Sequence, residues 1–211
     1  TLCFERLALA REEQVSVEGE ATLPGSMRDA VTVLSVQAQA YLEDARATAG
    51  GMTLRGHVSF QALYTQGDLT RIRAMETTCD FEHSIDAPEL QPDMRVNASV
   101  AVQETEGTAV SGRMTLRALL DLQIEAFETT RQALVTDAAG DADALRTRMQ
   151  RVAFCRTAPL GEEKTLVREE FDLPARLEVG DVLSATGEAS VSELTGGAGR
   201  IGICGTVEVR V

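Results

Sequence analysis

The sharpest chemical pattern in the sequence is a glycine-rich run near residue 200. Residues 197–202 read Gly-Ala-Gly-Arg-Ile-Gly, which satisfies the G-x-G-x-x-G spacing of dinucleotide-binding turns. Such a site needs a strand before the glycines, a helix after them and an acidic residue about 20 positions further on. Here Ile201 to Val211 alternates like a strand instead of a helix. We therefore interpret the run as a hairpin turn.

The two histidines give weaker signals. His83 lies in the run Asp80-Phe81-Glu82-His83-Ser84, which brings carboxylates, an imidazole and a hydroxyl together in sequence. General acid–base catalysis needs such groups to converge in a cleft, whereas neighbours along a strand point to opposite faces. We favour a surface loop or a strand edge for His83. His57 falls on the polar side of a predicted strand, with no acid near it, and two histidines do not make a metal site.

Paired carboxylates recur at Glu12-Glu13, Glu162-Glu163 and Glu169-Glu170. A carboxylate pair can hold a proton or a cation. Solvated charges that keep strand edges from aggregating are the simpler interpretation.

The four cysteines also lack the grouping that chemistry needs. Cys3, Cys79, Cys155 and Cys204 are far apart, with no C-x-x-C pair and no histidine at ligand spacing. We interpret them as buried free thiols in a reducing compartment. The sequence thus predicts no catalytic residue, no metal site and no cofactor, and we expect a protein that is not an enzyme.

Charge and hydropathy exclude two classes of partner. The formal net charge is −13, and nucleic acids and anionic membrane surfaces are bound through Lys and Arg. No stretch approaches the roughly 18 apolar residues that a membrane helix needs. We expect protein partners, no nucleic acid, no membrane insertion and a cytoplasmic location.

Strand-type alternation dominates the sequence. From Thr53 to Tyr64 the apolar positions are Leu54, Val58, Phe60, Ala62 and Tyr64. From Met114 to Phe127 they are Leu116, Ala118, Leu120, Leu122, Ile124 and Ala126. Glycines at 50–51, 67, 107, 112 and 196–197 separate the runs. This pattern predicts an all-β fold of antiparallel hairpins, sandwich- or barrel-like, with few short helices, such as a capped turn near 26–29 and a stretch at 141–150 that is helical by propensity.

The chain contains an internal repeat. Residues 12–24 match residues 162–174, 150 positions further on, and Val33-Leu34-Ser35 and Gly56 match Val182-Leu183-Ser184 and Gly205 at an offset of 149. A fainter echo at an offset of 62 relates Met52-Thr53-Leu54-Arg55 to Met114-Thr115-Leu116-Arg117. Internal repeats mark supersecondary units that recur.

These offsets divide the chain into units. Residues 1–136 form one complete unit, made of half-unit A (1–64) and half-unit B (65–136). Residues 137–148 form a small, polar linker. Residues 149–211 repeat half-unit A, the first half of a second unit, and we expect this repeat either to begin a further domain or to pair with another chain.

The repeat motifs resemble those of a known family. The segments Val17–Pro24, Val33–Val36, Leu54–Tyr64 and Gly112–Ala118 are similar to the SPOCS (spore-coat-protein-like) domains of bacterial coat-assembly factors, and Val167–Pro174 looks like the opening of the next copy. The resemblance covers nearly the whole chain. Its motif positions are structural, not catalytic: Leu23, Pro24, Gly56, Tyr64, Gly112, Arg113, Leu173, Pro174 and Gly205.

The resemblance implies a scaffold role in spore coat or spore envelope assembly, on the mother-cell side of the forespore. It implies other proteins as partners, among them stage IV sporulation protein A, the coat morphogenetic ATPase, and it is compatible with self-association. A β domain that binds a small ligand or cell-wall carbohydrate is the alternative. The scarcity of aromatic residues, with no Trp and two Tyr, speaks mildly against it, and an exposed Tyr41 beside a concave acidic patch would favour it.

Overall fold

The regular structure of the protein consists of antiparallel strands. The computed structural model describes residues 2–24, 31–67, 71–135, 165–170, 182–197 and 199–211, with single residues at 139, 148, 150, 151, 153 and 172. Within these residues there are eight strands and no helix. The strands are β1 (Leu2–Thr22), β2 (Val31–Thr48), β3 (Gly51–Gln66), β4 (Ile72–Asp86), β5 (Arg95–Val110), β6 (Arg113–Gln132), β7 (Thr186–Gly197) and β8 (Arg200–Arg210).

The strands form two three-stranded sheets and one separate hairpin. One sheet has the order β1-β6-β5, another has the order β2-β3-β4, and β7 pairs with β8 as the third sheet of the described strands. Each hairpin of the two larger sheets is completed by a strand from the other half of the unit. β1 leads into the β2–β3 hairpin but pairs with β6, and β4 leads into the β5–β6 hairpin but pairs with β3. The two half-units therefore exchange their first strands.

The core lies between the central strands of the two sheets. All the apolar positions expected on β3 and β6 are at most 3% exposed. The end of β3 packs against the start of β6 in one cluster, and the start of β3 packs against the end of β6 in the other. The central strands β3 and β6 therefore run in opposite directions on the two sides of the core. This is the arrangement expected of two half-units related by an approximate twofold axis.

Hydrogen bonds at the hairpin turns show the same symmetry. The N–H of Leu23, after β1, donates to the carbonyl oxygen of Gly112 in the β5–β6 turn at 2.9 Å. The N–H of Ala87, after β4, donates to the carbonyl oxygen of Gly50 in the β2–β3 turn at 3.0 Å. A proline follows both donors, at Pro24 and Pro88. Each half-unit thus anchors the turn of the other.

The two sheets touch along both edges without closing into a barrel. At one edge, the hydroxyl of Thr105 on β5 donates to the carbonyl oxygen of Val36 on β2 at 2.8 Å. At the other, the Arg11 guanidinium on β1 donates to the carbonyl oxygen of Asp86 on β4 at 3.0 Å. These contacts come from side chains, not from a backbone ladder, so the architecture is a sandwich.

An ion pair spans the sheet β1-β6-β5. Arg95 on β5 donates to both carboxylate oxygens of Glu5 on β1, at 3.0 and 2.9 Å. Its guanidinium lies over the Phe127 ring of β6, 4.4 Å from the ring centroid. The hydrogen bond to Glu5 is the main cause that raises the pKa of Arg95 above its usual range. The paired charge covers the ring and joins all three strands.

The expected all-β, antiparallel, sandwich-like fold is confirmed. The inward-facing residues of β3 and β6 were predicted correctly, because in a two-layer fold one face of each sheet meets the core and the other meets solvent, so that every second residue is buried. The turns expected near 26–29 and 141–150 and the linker 137–148 lie almost entirely outside the described residues. The division into 1–136 and 149–211 stays a prediction.

Candidate functional site

A β-bulge on β2 shapes the outer face of the sheet β2-β3-β4. The pairing of β2 with β3 slips between Leu42 and Asp44, so Glu43 is the extra residue. A bulge of this kind kinks the strand and re-aims a side chain. Glu43 Oε1 lies 2.9 Å from Nδ1 of His57 on β3, and the His57 ring stacks on Tyr41 with centroids 5.1 Å apart.

This cluster corrects the interpretation of His57, which was placed on a polar strand face without a nearby acid. The polar face is right, but the acid comes from the neighbouring strand, 14 residues earlier in the chain. Tyr41 is 46% exposed, and its hydroxyl donates to Gln39 Oε1 at 2.6 Å. The stacked pair and the carboxylate therefore form one open polar patch. The sequence alone does not reveal this patch, because the position of the bulge is visible only when β2 is paired with β3.

Gly56 makes the bulge possible. A Cβ at position 56 would lie 2.1 Å from the carbonyl oxygen of Tyr41 and 2.9 Å from Cζ of Phe81. Only glycine lets the bulged strand and the neighbouring ring approach so closely. Gly56 was identified as a structural motif position, and the geometry supplies the reason.

The β7–β8 hairpin reproduces this bulge 149 residues later. Its pairing slips between Val191 and Glu193, opposite Gly205. A Cβ at Gly205 would lie 2.2 Å from the carbonyl oxygen of Ser190. The turn before β8 has a positive φ of 74° at Gly199, as the turn before β3 has 82° at Gly50. The internal repeat is therefore a repeat of structure in the hairpin, down to the bulge.

The chemistry of the patch is not repeated. Ser190, Ser192 and Thr206 stand where the first copy has Tyr41, Glu43 and His57. The bulge with its glycine is thus a feature of the repeated hairpin, whereas the stacked ring and carboxylate belong to the first copy.

The second difference between the copies is burial. Residues 186–197 and 200–210 are exposed throughout, although β3, the counterpart of β8, is the centre of the core. The apolar side chains of this hairpin that are at least 43% exposed are Val191, Leu194, Ile201, Ile203, Val207 and Val209. A contiguous exposed apolar face of this kind marks a contact surface. We call it the hairpin face.

The segment Thr165–Glu170 differs from its first copy in the same way. It corresponds to Val15–Glu20 of β1, where Val17 is 5% exposed against β6. Its counterpart Val167 is 62% exposed, and Leu166 is 91% exposed. In the described part of the chain, this segment joins no strand.

The remaining motif positions have structural roles where they are described. Gly112 has a φ of 82° in the β5–β6 turn, and Arg113 pairs with Glu20 across the sheet at 3.8 Å. Tyr64 is 3% exposed in the core. Leu173 and Pro174 lie outside the described residues.

The other candidates for chemistry do not converge. His83 lies on the edge strand β4 and shares the inward side with Phe81 and Ile85. Its Nε2 is buried and has no hydrogen-bond partner among the residues that the structure describes. Asp80 and Glu82 point to the opposite, exposed face. Burial, and then the neighbouring Asp80, raise the pKa of the Cys79 thiol, which favours its neutral form.

The glycine-rich run at 197–202 lies at the β7–β8 turn, where Gly197 pairs with Arg200. It is followed by a strand, as expected, and not by a helix. Cys204 is exposed, and Cys3 and Cys79 are half-buried, so the expectation of buried thiols is wrong for Cys204 and holds only in part for the other two. Cys155 lies outside the described residues.

Two broader features concern metals and membranes. Among the residues whose placement the structure gives, no group of three or more His, Cys, Asp or Glu could hold a metal ion. Of the acidic pairs, Glu169 and Glu170 are solvent-exposed. No helix in the described chain is long and apolar enough to cross a membrane.

The comparisons with known proteins give one match. Residues 29–110 match the family model described as "SipL, SPOCS domain". No curated protein and no solved structure matches the chain. The matched stretch holds β2 with its bulge, β3 and its Gly56, β4 and β5. Over residues 29–110, the chain is thus similar to the SPOCS domain family, which supports the resemblance seen in the sequence.

Proposed function

We propose that this protein is a non-enzymatic interaction module that acts as a scaffold in spore coat or spore envelope assembly. The SPOCS family match supports a sporulation-related role in protein interaction. The partner that the family suggests is the coat morphogenetic ATPase, stage IV sporulation protein A. The module would act on the mother-cell side of the forespore.

The observation that carries the proposal is the hairpin face. Ile201 and Ile203 on β8 occupy the positions of Met52 and Leu54 on β3, which are at most 1% exposed, yet they are 48% and 65% exposed. An isolated two-stranded hairpin is marginally stable in water. Its apolar side chains, and the edges of β7 and β8 that no described strand pairs with, are suited to a protein partner that adds strands and covers the face.

The arrangement of titratable groups supports a non-enzymatic role. His57 and Glu43 meet on an open sheet face, where their hydrogen-bonding contact leaves both side chains partly exposed, at 30% and 54%. General acid–base catalysis is most effective where water is excluded around the reacting groups. A hollow of about 580 Å³ is open to solvent and is lined by residues of β1, β5 and β6 such as Glu12, Ser99 and Gln123.

The direct test is binding to purified stage IV sporulation protein A, measured by biolayer interferometry. We expect binding by the native chain and a loss of more than about tenfold in affinity for Ile203→Glu, because a charge would enter the apolar contact. Val110→Glu is the matched control, since Val110 is 70% exposed outside the hairpin. No binding by the native chain, or equal losses in both variants, would contradict the proposal.

A specific observation also favours the alternative of carbohydrate binding. The exposed Tyr41 ring stacks on His57, which contacts Glu43. Its hydroxyl donates to Gln39, which lines a hollow together with Gln37 and Gln61. A flat aromatic face next to amides and a carboxylate fits a sugar ring, whose apolar side stacks and whose hydroxyls form hydrogen bonds.

Titration with cell-wall glycan fragments, followed by NMR shifts of the amides of β2 and β3, tests this alternative. Binding that Tyr41→Ala abolishes and Glu82→Gln preserves would support it. An unchanged spectrum at millimolar fragment would exclude the patch as a sugar site.

A further inference from the structure

We propose that the β7–β8 hairpin pairs with the same hairpin of a second copy of this chain. Each copy would supply the segment that holds Thr165–Glu170 and Asp172 as a strand beside β8 of the other copy. The inference deepens the proposed interaction role by naming the partner as a second copy of this chain. It rests on that role only in so far as self-association is one form of protein interaction, and the two partners would compete for the hairpin face.

The template is the strand exchange inside residues 2–132. There, β1 precedes one hairpin but pairs with the central strand β6 of the other, and β4 does the reverse with β3. A half-unit of this kind therefore gives its first strand to a partner hairpin and receives the partner's first strand. The segment around Val167 and the β7–β8 hairpin repeat such a half-unit. Two identical half-units satisfy the exchange with a true twofold axis.

The template fixes the register. Val17 on β1 lies opposite Ala118 on β6, and Phe81 on β4 lies opposite Gly56 on β3. The repeat places Val167 at the Val17 position and Gly205 at the Gly56 position. Val167 would thus lie opposite Gly205 of the other copy and fill the space above the glycine that Phe81 fills above Gly56.

Charges agree with this register. In the first unit, Thr22 pairs with Arg113, and Glu20 forms an ion pair with the same arginine at 3.8 Å. The corresponding residues of the repeat are Asp172, Glu170 and Arg200. The Glu170 and Asp172 carboxylates of one copy would therefore face the Arg200 guanidinium of the other copy. The twofold axis would repeat this contact with the two copies exchanged. Opposite charges at facing strand positions stabilise the pairing, and like charges oppose it.

The apolar pattern agrees as well. The positions of β8 that correspond to the inward side of β3 are Ile201, Ile203, Gly205, Val207 and Val209. All four branched side chains are at least 43% exposed in the single chain. In the pair, they would meet their own copies across the twofold, as β3 meets β6 in the core of the first unit. The apolar part of the hairpin face would then be covered.

Sedimentation equilibrium of three chains tests the proposal. The native chain is expected to form dimers. The double variant E170R/D172R and the variant R200E place like charges opposite each other, so the dimer dissociation constant should rise about tenfold in each. An equimolar mixture of the two variants makes every facing pair opposite again, and its dissociation constant should return to within about twofold of the native value.

Arg46→Glu is the control, since this exposed arginine on β2 pairs only locally with Asp44. It should dimerise like the native chain. Circular dichroism checks that the sandwich is intact in every variant. A native chain that stays monomeric would overturn the proposal. So would dimers whose dissociation constant is the same in the native chain, the two charge variants and their mixture. Binding of stage IV sporulation protein A by such a monomer would leave the proposed function standing.

Discussion

Replacing Gly56 by alanine tests whether the bulge on β2 is built into the fold. The new Cβ would lie 2.1 Å from the Tyr41 carbonyl oxygen and 2.9 Å from the Phe81 ring, and Cβ atoms in proteins essentially never come within 3.0 Å of such neighbours. One obstacle is backbone and the other is a core ring, so neither can move without separating β3 from β2 or β4. Overpacking of this kind costs about 1–3 kcal/mol.

The expected change in melting temperature follows from the size of the unit. For a domain of between 100 and 150 residues, 1 kcal/mol corresponds to about 4 °C. Gly56→Ala should therefore lower the Tm of the sandwich by about 4–12 °C, followed by circular dichroism at 218 nm or by scanning calorimetry. It should also shift the NMR signals of His57 and Glu43, because the bulge holds these two side chains together.

The repeat supplies matched controls. Gly205→Ala creates the same clash, 2.2 Å from the Ser190 carbonyl oxygen, but outside the core of the sandwich. At Gly187, a Cβ would meet nothing within 4 Å. Both variants should leave the Tm of the sandwich within about 1 °C of the native value. A Gly56→Ala variant as stable as these two would refute the close-approach argument.

Two further predictions concern the core and the thiols. Leu116→Ala leaves a cavity at a fully buried position and should lower the free energy of unfolding in urea by about 2–5 kcal/mol. Leu134→Ala, at a side chain that is 50% exposed, should change it by less than about 0.5 kcal/mol. Equal effects of the two variants would contradict the burial of Leu116. Iodoacetamide at pH 8 should modify the exposed Cys204 well before Cys79, whose raised pKa leaves less thiolate, as read by peptide mass spectrometry. Because the folded protein holds the Cys79 proton more tightly than the unfolded chain, this thiol's contribution to stability falls as the pH rises above its unfolded pKa. Faster modification of Cys79 would contradict its half-buried position on β4, where its Sγ faces Gly19 of β1.

Alternation along single strands predicted the inward faces of β3 and β6, since burial on one side of a sheet leaves a period of two in the sequence. The repeat offsets predicted that β7 and β8 form a hairpin like β2 and β3. Neither pattern contains the partner of a strand. The pairing of β1 with β6 joins Leu2 to Gln132, and nothing local to either strand specifies so distant a partner.

The same limit explains the missed patch. Glu43 approaches His57 only because one residue of β2 is extra in the ladder. The sequence shows an alternation that passes through Leu42 and Asp44 without marking which residue bulges. Gly56 was recognised as a motif position, but its reason, the approach of the Tyr41 carbonyl, depends on the paired strand. Contacts across strands are set by register, and register follows from the assembled sheet.

The central claim is that the repeated half-unit after residue 148 mediates protein association. It is tested most directly by the mass in solution, by light scattering across a concentration series, of the full chain and of a chain that ends at Val135. Both core clusters lie within residues 9–126, so the shorter chain keeps them complete. We predict that the mass of the full chain rises from 22.7 kDa towards twice that value, while the shorter chain stays monomeric. Two monomers, or equal association of both chains, would contradict self-association through this half-unit.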